Sequence, residues 1–241
     1  DVIFCEDTRV SVKLLNHFNI KKHLKTYHDF NKEIKSEEIL SHLRNKQNIA
    51  LISDAGYPLI SDPGYYVIRE VIKEGFNVIS IPGANALLSA LVTSGLTPHP
   101  FMFYGFLDQK ETKKKKELDA LKNHKETMIF YESPHRILKT IKAMDEVLGE
   151  RKLVIARELT KKFEEIIRGT TKTLQDIDQI KGEMVLVVEG KPENSDTFTG
   201  TILEEITFYE TSGLSNKDAI KQVAKNRNLT KNDVYMTYHK K

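Results

Sequence analysis

Ile49-Ala50-Leu51-Ile52-Ser53-Asp54-Ala55-Gly56-Tyr57-Pro58-Leu59-Ile60-Ser61-Asp62-Pro63-Gly64 is the stretch whose reading decides the fold. Its first four residues form a continuous apolar run, which suits a strand buried on both faces of an α/β sheet. Two short acid-and-glycine turns follow, and the second leads into a helix. Asp62 fits the N-cap, Pro63 the first helical position, and Val67, Ile68, Val71 and Ile72 an apolar face. Gly75 is placed to end that helix. A small acidic loop at the carboxyl end of a buried strand is where open α/β sheets hold ligands. The same residues also suit a tight strand–helix connection with capping aspartates, so the decision rests on the flanking sequence.

Upstream, Val2 to Cys5 reads as a buried strand ending in Glu6-Asp7-Thr8-Arg9, with a helix following through Leu14, Leu15 and Phe18. The Glu6, Asp7, Arg9 cluster fits a surface ion-pair set or a place in a cleft at the strand's carboxyl end. Tyr27-His28-Asp29-Phe30-Asn31 is a polar-aromatic loop, and Ile34, Ile39, Leu40 and Leu43 mark the next helix. Downstream, Val78-Ile79-Ser80-Ile81 reads as another strand, stopped by Pro82-Gly83-Ala84-Asn85. The apolar helix Ala86 to Val92 begins at once, with Asn85 as N-cap and first-turn amides able to receive negative charge. Gly95 and Pro98 close it. Strands alternating with helices up to about Thr97 predict a mostly parallel sheet.

A second α/β region opens at Phe101 to Leu107. It continues through a lysine-rich helix (Lys113 to Lys116, then Lys122 and Lys125) into the strand Met128 to Tyr131. The lysine run reads as a solvated helix face, with RNA contact as the lesser alternative. Glu132-Ser133-Pro134-His135-Arg136 lies where that strand gives way to a helix. Strands at Leu153 to Ala156 and Met184 to Val188 follow, separated by Arg157-Glu158-Leu159-Thr160 and a charged stretch. The polar linker from Lys191 to Gly200 marks a boundary. Beyond it, Ser215 to Lys241 reads as two short basic helices joined at Asn228-Leu229-Thr230. The organisation is therefore an N-terminal α/β lobe over 1–97, a second lobe over 98–192, and a small basic helical tail over 201–241.

The net charge of +3 is a mild basic bias that is compatible with an RNA partner and does not demand one. The single cysteine, Cys5, excludes an internal disulfide framework and fits a reducing cytoplasm. No apolar run approaches the roughly 20 residues that span a bilayer, and no signal peptide is visible. His and Cys spacing gives no metal site, and no glycine-rich Walker motif is present. Opening on a strand without an initiator Met suggests lost upstream sequence.

Cys5-Glu6-Asp7-Thr8-Arg9, Ser53-Asp54-Ala55-Gly56, Ser61-Asp62-Pro63-Gly64, Pro82-Gly83, Tyr131-Glu132-Ser133-Pro134-His135-Arg136 and Ala156-Arg157-Glu158-Leu159-Thr160-Lys161 follow one another in an informative order. Together they resemble the ribosomal RNA small subunit methyltransferase I group of the tetrapyrrole methylase superfamily, over nearly the whole chain. The resemblance implies two α/β lobes of the tetrapyrrole methylase type, with S-adenosylmethionine in the cleft between them, as a homodimer; the cytoplasm, and no metal or membrane, are expected from the composition and spacing above. It implies methylation of a cytidine ribose 2′-hydroxyl in the decoding region of bacterial 16S rRNA; between naked rRNA and the assembled small ribosomal subunit, the modest basic surface favours the assembled particle as a shaped partner.

Carried onto this chain, the resemblance places the cofactor against Asp54, Ala55 and Gly56, with Gly83, Asn85 and Ala86 close by. Tyr131, Glu132, Leu159, Gly182 and Met184, with Glu183 between the last two, complete the pocket. Substrate-side candidates are Glu6, Asp7, Arg9, His28, Asn31, His135, Arg136 and Glu158. A ribose hydroxyl is a poor nucleophile at neutral pH. Glu6 and Glu132 are therefore the candidate bases, and Arg9 and Arg136 the candidate partners of phosphate or forming alkoxide. The family's usual opening strand and Gly-Thr-Pro-Ile-Gly-Asn-Leu loop are absent from this sequence. Asn85 stands where Ser is frequent, and Asp108 where Pro is frequent. Rival readings are a methylase acting on a tetrapyrrole and a non-catalytic RNA-binding ribosome-assembly factor.

Overall fold

The computed structural model describes residues 1–28, 31–177, 180–192, 198, 200–227 and 229–239. They form two compact units, Asp1–Gly190 and Lys191–Lys241. Asp29, Phe30, Asn228, Lys241 and most of the 191–200 linker, singled out above, lie outside the described residues.

The first unit is built on two sheets. One is parallel and three-stranded, in the order β2-β1-β3, with β1 Val2–Cys5, β2 Leu24–Thr26 and β3 Ile49–Ile52. Between them run α1 Thr8–His17 and α2 Lys32–Arg44, and α3 Tyr65–Lys73 follows β3. Phe4, Tyr27, Ile39, Leu40, Val67 and Val71 form the core here, so one face of α2 and one of α3 are spent on the sheet. β2 was not foreseen: its three residues, Leu-Lys-Thr, are too few to show a period.

Three expectations are corrected in this half. β3 is not buried on both faces, because it is an edge strand and its Ala50 is exposed. Val78–Ile81 forms no strand: Ile79 and Ile81 are 80% and 77% exposed, and no described strand pairs with the free edge of β3. An apolar run becomes a strand only when a neighbour takes its amides and carbonyls. α3 starts at Tyr65 with Gly64 at its N-cap, so neither Asp62 nor Pro63 holds the helical place expected of it. Gly64 is required there: its φ is 141°, and a Cβ would lie 2.8 Å from Leu59 Cδ1. Asn31 precedes α2, and its side chain accepts from the His28 amide rather than from the helix. The end of α3 is as expected, with Gly75 and Phe76 donating to the Ile72 and Val71 carbonyls.

The second sheet is mixed and five-stranded, in the order β4-β5-β8-β6-β7. Its strands are β4 Phe101–Phe106, β5 Thr127–Glu132, β6 Lys152–Arg157, β7 Glu165–Thr170 and β8 Met184–Val188. β4 and β5 are parallel and the remaining pairs antiparallel. β7 emerges from the charged stretch that the sequence left unassigned. Alternate residues of the central strands feed two cores. Met128, Phe130, Leu153, Ile155, Leu186 and Val188 pack with α5 Glu111–Leu121 and α6 Ile137–Leu148. Ile129, Val154, Ala156, Val185 and Val187 pack under Leu87, Ala90 and Leu91 of α4 Ala86–Ser94. α4 thus belongs by sequence to the first half and by packing to the second sheet. Asn85 caps it as expected, its side chain accepting from the Leu88 amide at 3.1 Å.

The lysine run on α5 is not simply a solvated face. Lys114 is only 4% exposed and donates from Nζ to Thr140 Oγ1 at 2.7 Å.

The second unit holds α7 Ile202–Thr211, α8 Asn216–Asn226 and α9 Lys231–His239 around Ile206, Ala219, Ile220, Val223, Ala224 and Val234. It contains a helix more than the two expected. Thr201 and Glu204 form a complete capping box at the start of α7, a Thr-x-x-Glu signal legible in the sequence.

Candidate functional site

A cleft of about 610 Å³ opens where the carboxyl end of β3, the N-terminus of α4, and the ends of β5, β6 and β8 come together. That volume lies within the range of small-molecule sites. Of the expected cofactor residues, Ala55, Gly56, Asn85, Ala86, Tyr131, Glu132, Leu159, Gly182 and Met184 line it. Asp54 and Gly83 do not. Asp54 is exposed beside it; its Oδ1 accepts from the Asp7 amide at 3.2 Å and ties the β1 and β3 loops together. Tyr57, Ile60, Ser61, Asp62, Phe106 and Lys161 also line the cleft and were not anticipated.

Asp62 is the electrostatic centre of this wall. Burial, with the charges of Glu6 and Asp54, pushes its carboxyl up to about 6, against a smaller opposing hydrogen bond from Ser53. Three carboxylates, two from the loop after β3 and one from the loop after β1, cannot all ionise at no cost. Tyr131 faces the same group: burial and the Asp62 charge raise its phenol, while a backbone hydrogen bond from Leu87, in the first turn of α4, opposes them. Phe103 and Phe106 meet the Tyr131 ring edge-on, with centroids 4.9 and 5.6 Å away, which fixes its direction.

The opposite wall depends on Gly182 and Glu158. Gly182 has φ +95°, and a Cβ there would collide with the Glu158 side chain. Glu158 itself has φ 48°. Its Oε1 accepts from the Glu183 amide and from Lys161 Nζ, both at 3.0 Å, and these bonds lower its pKa. The expected substrate residue Glu158 therefore lines the cleft with its carboxylate already engaged.

Glu132, an expected base, is engaged more fully. Its buried carboxylate accepts from the Ser133 amide and from Thr140 Oγ1, and Arg136 Nε lies 3.1 Å from Oε1 as an ion pair without hydrogen-bond geometry. Behind Thr140 stands Lys114, whose pKa is held down by burial. Arg136 Nη2 donates to the Leu107 carbonyl. Lys114, Thr140, Glu132 and Arg136 thus form one buried polar chain ending at a second cavity, also of about 610 Å³, which Arg136 lines.

Glu6, Asp7, Arg9, His28, Asn31 and His135 line neither cavity. Asp7 caps α1 through the Arg9 amide at 2.8 Å and pairs with the Arg9 guanidinium, which is 88% exposed. These bonds hold its carboxyl low, at about 2. His28 and Asn31 bond to each other. Among the described residues no group of His, Cys, Asp and Glu is arranged to hold a metal ion, and no helix is long and apolar enough to cross a membrane.

Residues 1–175 match the family model described as Tetrapyrrole (Corrin/Porphyrin) Methylases. A Bacillus subtilis protein named ribosomal RNA small subunit methyltransferase I is 46% identical over 99% of this chain and 85% of its own length. A Halalkalibacterium halodurans protein of the same name is 44% identical over 99% of this chain and 86% of its own. Among solved structures, a diphthine synthase superposes with a TM-score of 0.60 at 15% identity, covering 79% of this chain and 80% of that one.

Proposed function

The chain belongs to the tetrapyrrole methylase family, and from that premise we propose that it is an S-adenosylmethionine-dependent methyltransferase acting on the 2′-hydroxyl of a cytidine in 16S rRNA. Small-subunit rRNA is the substrate named for its relatives at 44–46% identity over nearly the full chain. The single observation that carries the catalytic reading is the cleft itself. It has the volume for a nucleoside-sized ligand, apolar surface from Ile60, Leu159 and Met184, and the Asp62 carboxylate, which favours a cation.

Those residues fit S-adenosylmethionine. Asp54 through the loop it ties down, Ala55, Gly56, Asn85 and Ala86 hold it on one side, and Tyr131, Leu159, Gly182 and Met184 on the other. When bound, it supplies an electrophilic methyl group on a sulfonium. The protein's work is then to align the ribose oxygen with that methyl and to exclude competing water. The hydroxyl proton needs an acceptor, and Asp62 is the cleft carboxylate suited to take it, being ionised at neutral pH with its value near 6. Glu132, its oxygens occupied by Ser133, Thr140 and Arg136, positions the Arg136 guanidinium on the substrate side. The reading extends to a homodimer working in the cytoplasm on the assembled small subunit.

The test uses S-adenosylmethionine labelled on its methyl group and small subunits from cells lacking the enzyme. The rRNA is digested to nucleosides and analysed by mass spectrometry. Label in 2′-O-methylcytidine is the expected result. Cofactor binding without label in rRNA refutes it and turns attention to tetrapyrrole acceptors.

A further inference from the structure

The second cavity lies beside the cofactor cleft and shares Phe106 and Ser133 with it. Its remaining wall includes Asp108, Lys110, Lys113 and Arg136. Phe106 is 52% exposed, large and apolar, and is held upright by the edge of Tyr131. An exposed aromatic pinned by a second ring, at the lip between two cavities, is a poor element of a core and a good platform for a planar ligand.

The charges fit a phosphodiester. Asp108 accepts from the Lys110 amide at 2.7 Å and lies 3.5 Å from Lys113 Nζ, and Glu117 Oε2 accepts from the Asp108 amide at 2.9 Å, so two carboxylates fix the loop and one of them answers one lysine. Lys110 Nζ has no ion-pair partner among the described residues, and neither does Arg136 beyond Glu132. Glu132 and Lys114 stand behind the wall in the same buried chain and offset each other. The cavity therefore keeps positive charge next to a cleft whose own wall is acidic.

We propose that this cavity is a subsite for single-stranded RNA. Phe106 stacks on the base next to the target nucleotide, and Lys110, Lys113 and Arg136 hold the adjoining phosphate. The inference rests on the rRNA reading above and adds how the strand is gripped: a stacked neighbour and a clamped phosphate present the intervening ribose to the cleft. The sharing of Phe106 by both cavities is what links the two sites.

The test measures anisotropy of a fluorescein-labelled single-stranded RNA nonamer with a central cytidine, titrated with the full chain from 50 to 300 mM KCl. Calorimetric titration with S-adenosylhomocysteine runs alongside. Lys110→Ala with Lys113→Ala is expected to flatten the slope of log affinity against log salt by about 0.7 for each phosphate that the variant no longer neutralises. Phe106→Ala is expected to weaken RNA about tenfold without changing that slope, with recovery in Phe106→Tyr. The lysine variant should bind S-adenosylhomocysteine as the unaltered protein does; Phe106 also lines the cofactor cleft, so its variant is read by the recovery of RNA affinity in Phe106→Tyr. Unchanged RNA affinity in both variants overturns the subsite alone. An unaltered protein that binds S-adenosylhomocysteine but no RNA nonamer overturns the subsite for single-stranded RNA, while the labelled small-subunit assay above judges the substrate reading separately.

Discussion

Asp62→Asn should stabilise the protein at pH 8 and leave it nearly unchanged at pH 4. Burial, Glu6 and Asp54 raise this carboxyl from its ordinary 3.8 to about 6 in the folded chain. Between those values the native state holds a proton that the unfolded state has released. Stability therefore falls as pH rises from about 4 through 6, and the loss is complete above that. A gap of about two pH units corresponds to a ceiling of about 3 kcal/mol. Asp62 is only partly buried, so solvent screens its neighbours and about 1–1.5 kcal/mol is the expected gain for the variant at pH 8. Thermal unfolding followed by tyrosine circular dichroism at both pH values reads this as a rise of roughly 2–6 °C at pH 8 only. Glu6→Gln should lower the Asp62 midpoint and capture part of the gain. An equal change at both pH values, or a lower melting temperature at pH 8, refutes the electrostatic account. Catalysis moves the other way: if Asp62 takes the ribose proton, the stabilised variant loses about 10²–10⁴-fold in kcat.

Thr140→Val removes the hydroxyl that joins Lys114 to Glu132 and leaves the buried ammonium without that acceptor, while Glu132 keeps Ser133 and Arg136; a loss of about 1–3 kcal/mol is expected in thermal or urea unfolding. Lys114→Met should cost less, because the buried ammonium disappears with its partner bond. Gly182→Ala forces a Cβ into Glu158 at φ +95°; calorimetry should show S-adenosylhomocysteine affinity falling at least tenfold, with about 1–3 kcal/mol of lost stability. Arg136→Ala should weaken RNA more than the cofactor, and equal losses in paired titrations would sink its assignment to the substrate side.

Elements whose evidence is local were legible. The apolar runs at Ile49, Met128, Leu153 and Met184 are strands, and Asn85 and Gly75 bound their helices as their chemistry requires. Failures trace to information held elsewhere in the chain. Val78–Ile81 has strand composition but no described partner. The β7 stretch is too charged to show a clean period, yet β6 pairs with it along six residues. Lys114 sits in a run of four lysines and differs from its neighbours only because α5 turns that position toward α6 and Thr140. Asp62 looked like a cap because Asp-Pro before an apolar helix is a capping pattern. Gly64 supplies the backbone turn instead, which frees the carboxyl for the cleft.

The division of charge across this site follows from that displacement. With Asp62 released from capping, Glu6, Asp54 and Asp62 place negative potential around one cavity, while Lys110, Lys113 and Arg136 place positive potential around its neighbour. A protein with a net charge of only +3 has little long-range field to attract RNA, so discrimination must come from such local contrast. A methyl donor is a cation and an RNA strand an anion. Two cavities of opposite sign sharing Phe106 and Ser133 bring those ligands into adjacent places without requiring either to enter the other's field. The buried chain from Lys114 to Arg136 keeps the boundary fixed, because moving Arg136 would uncover the Glu132 carboxylate inside the protein.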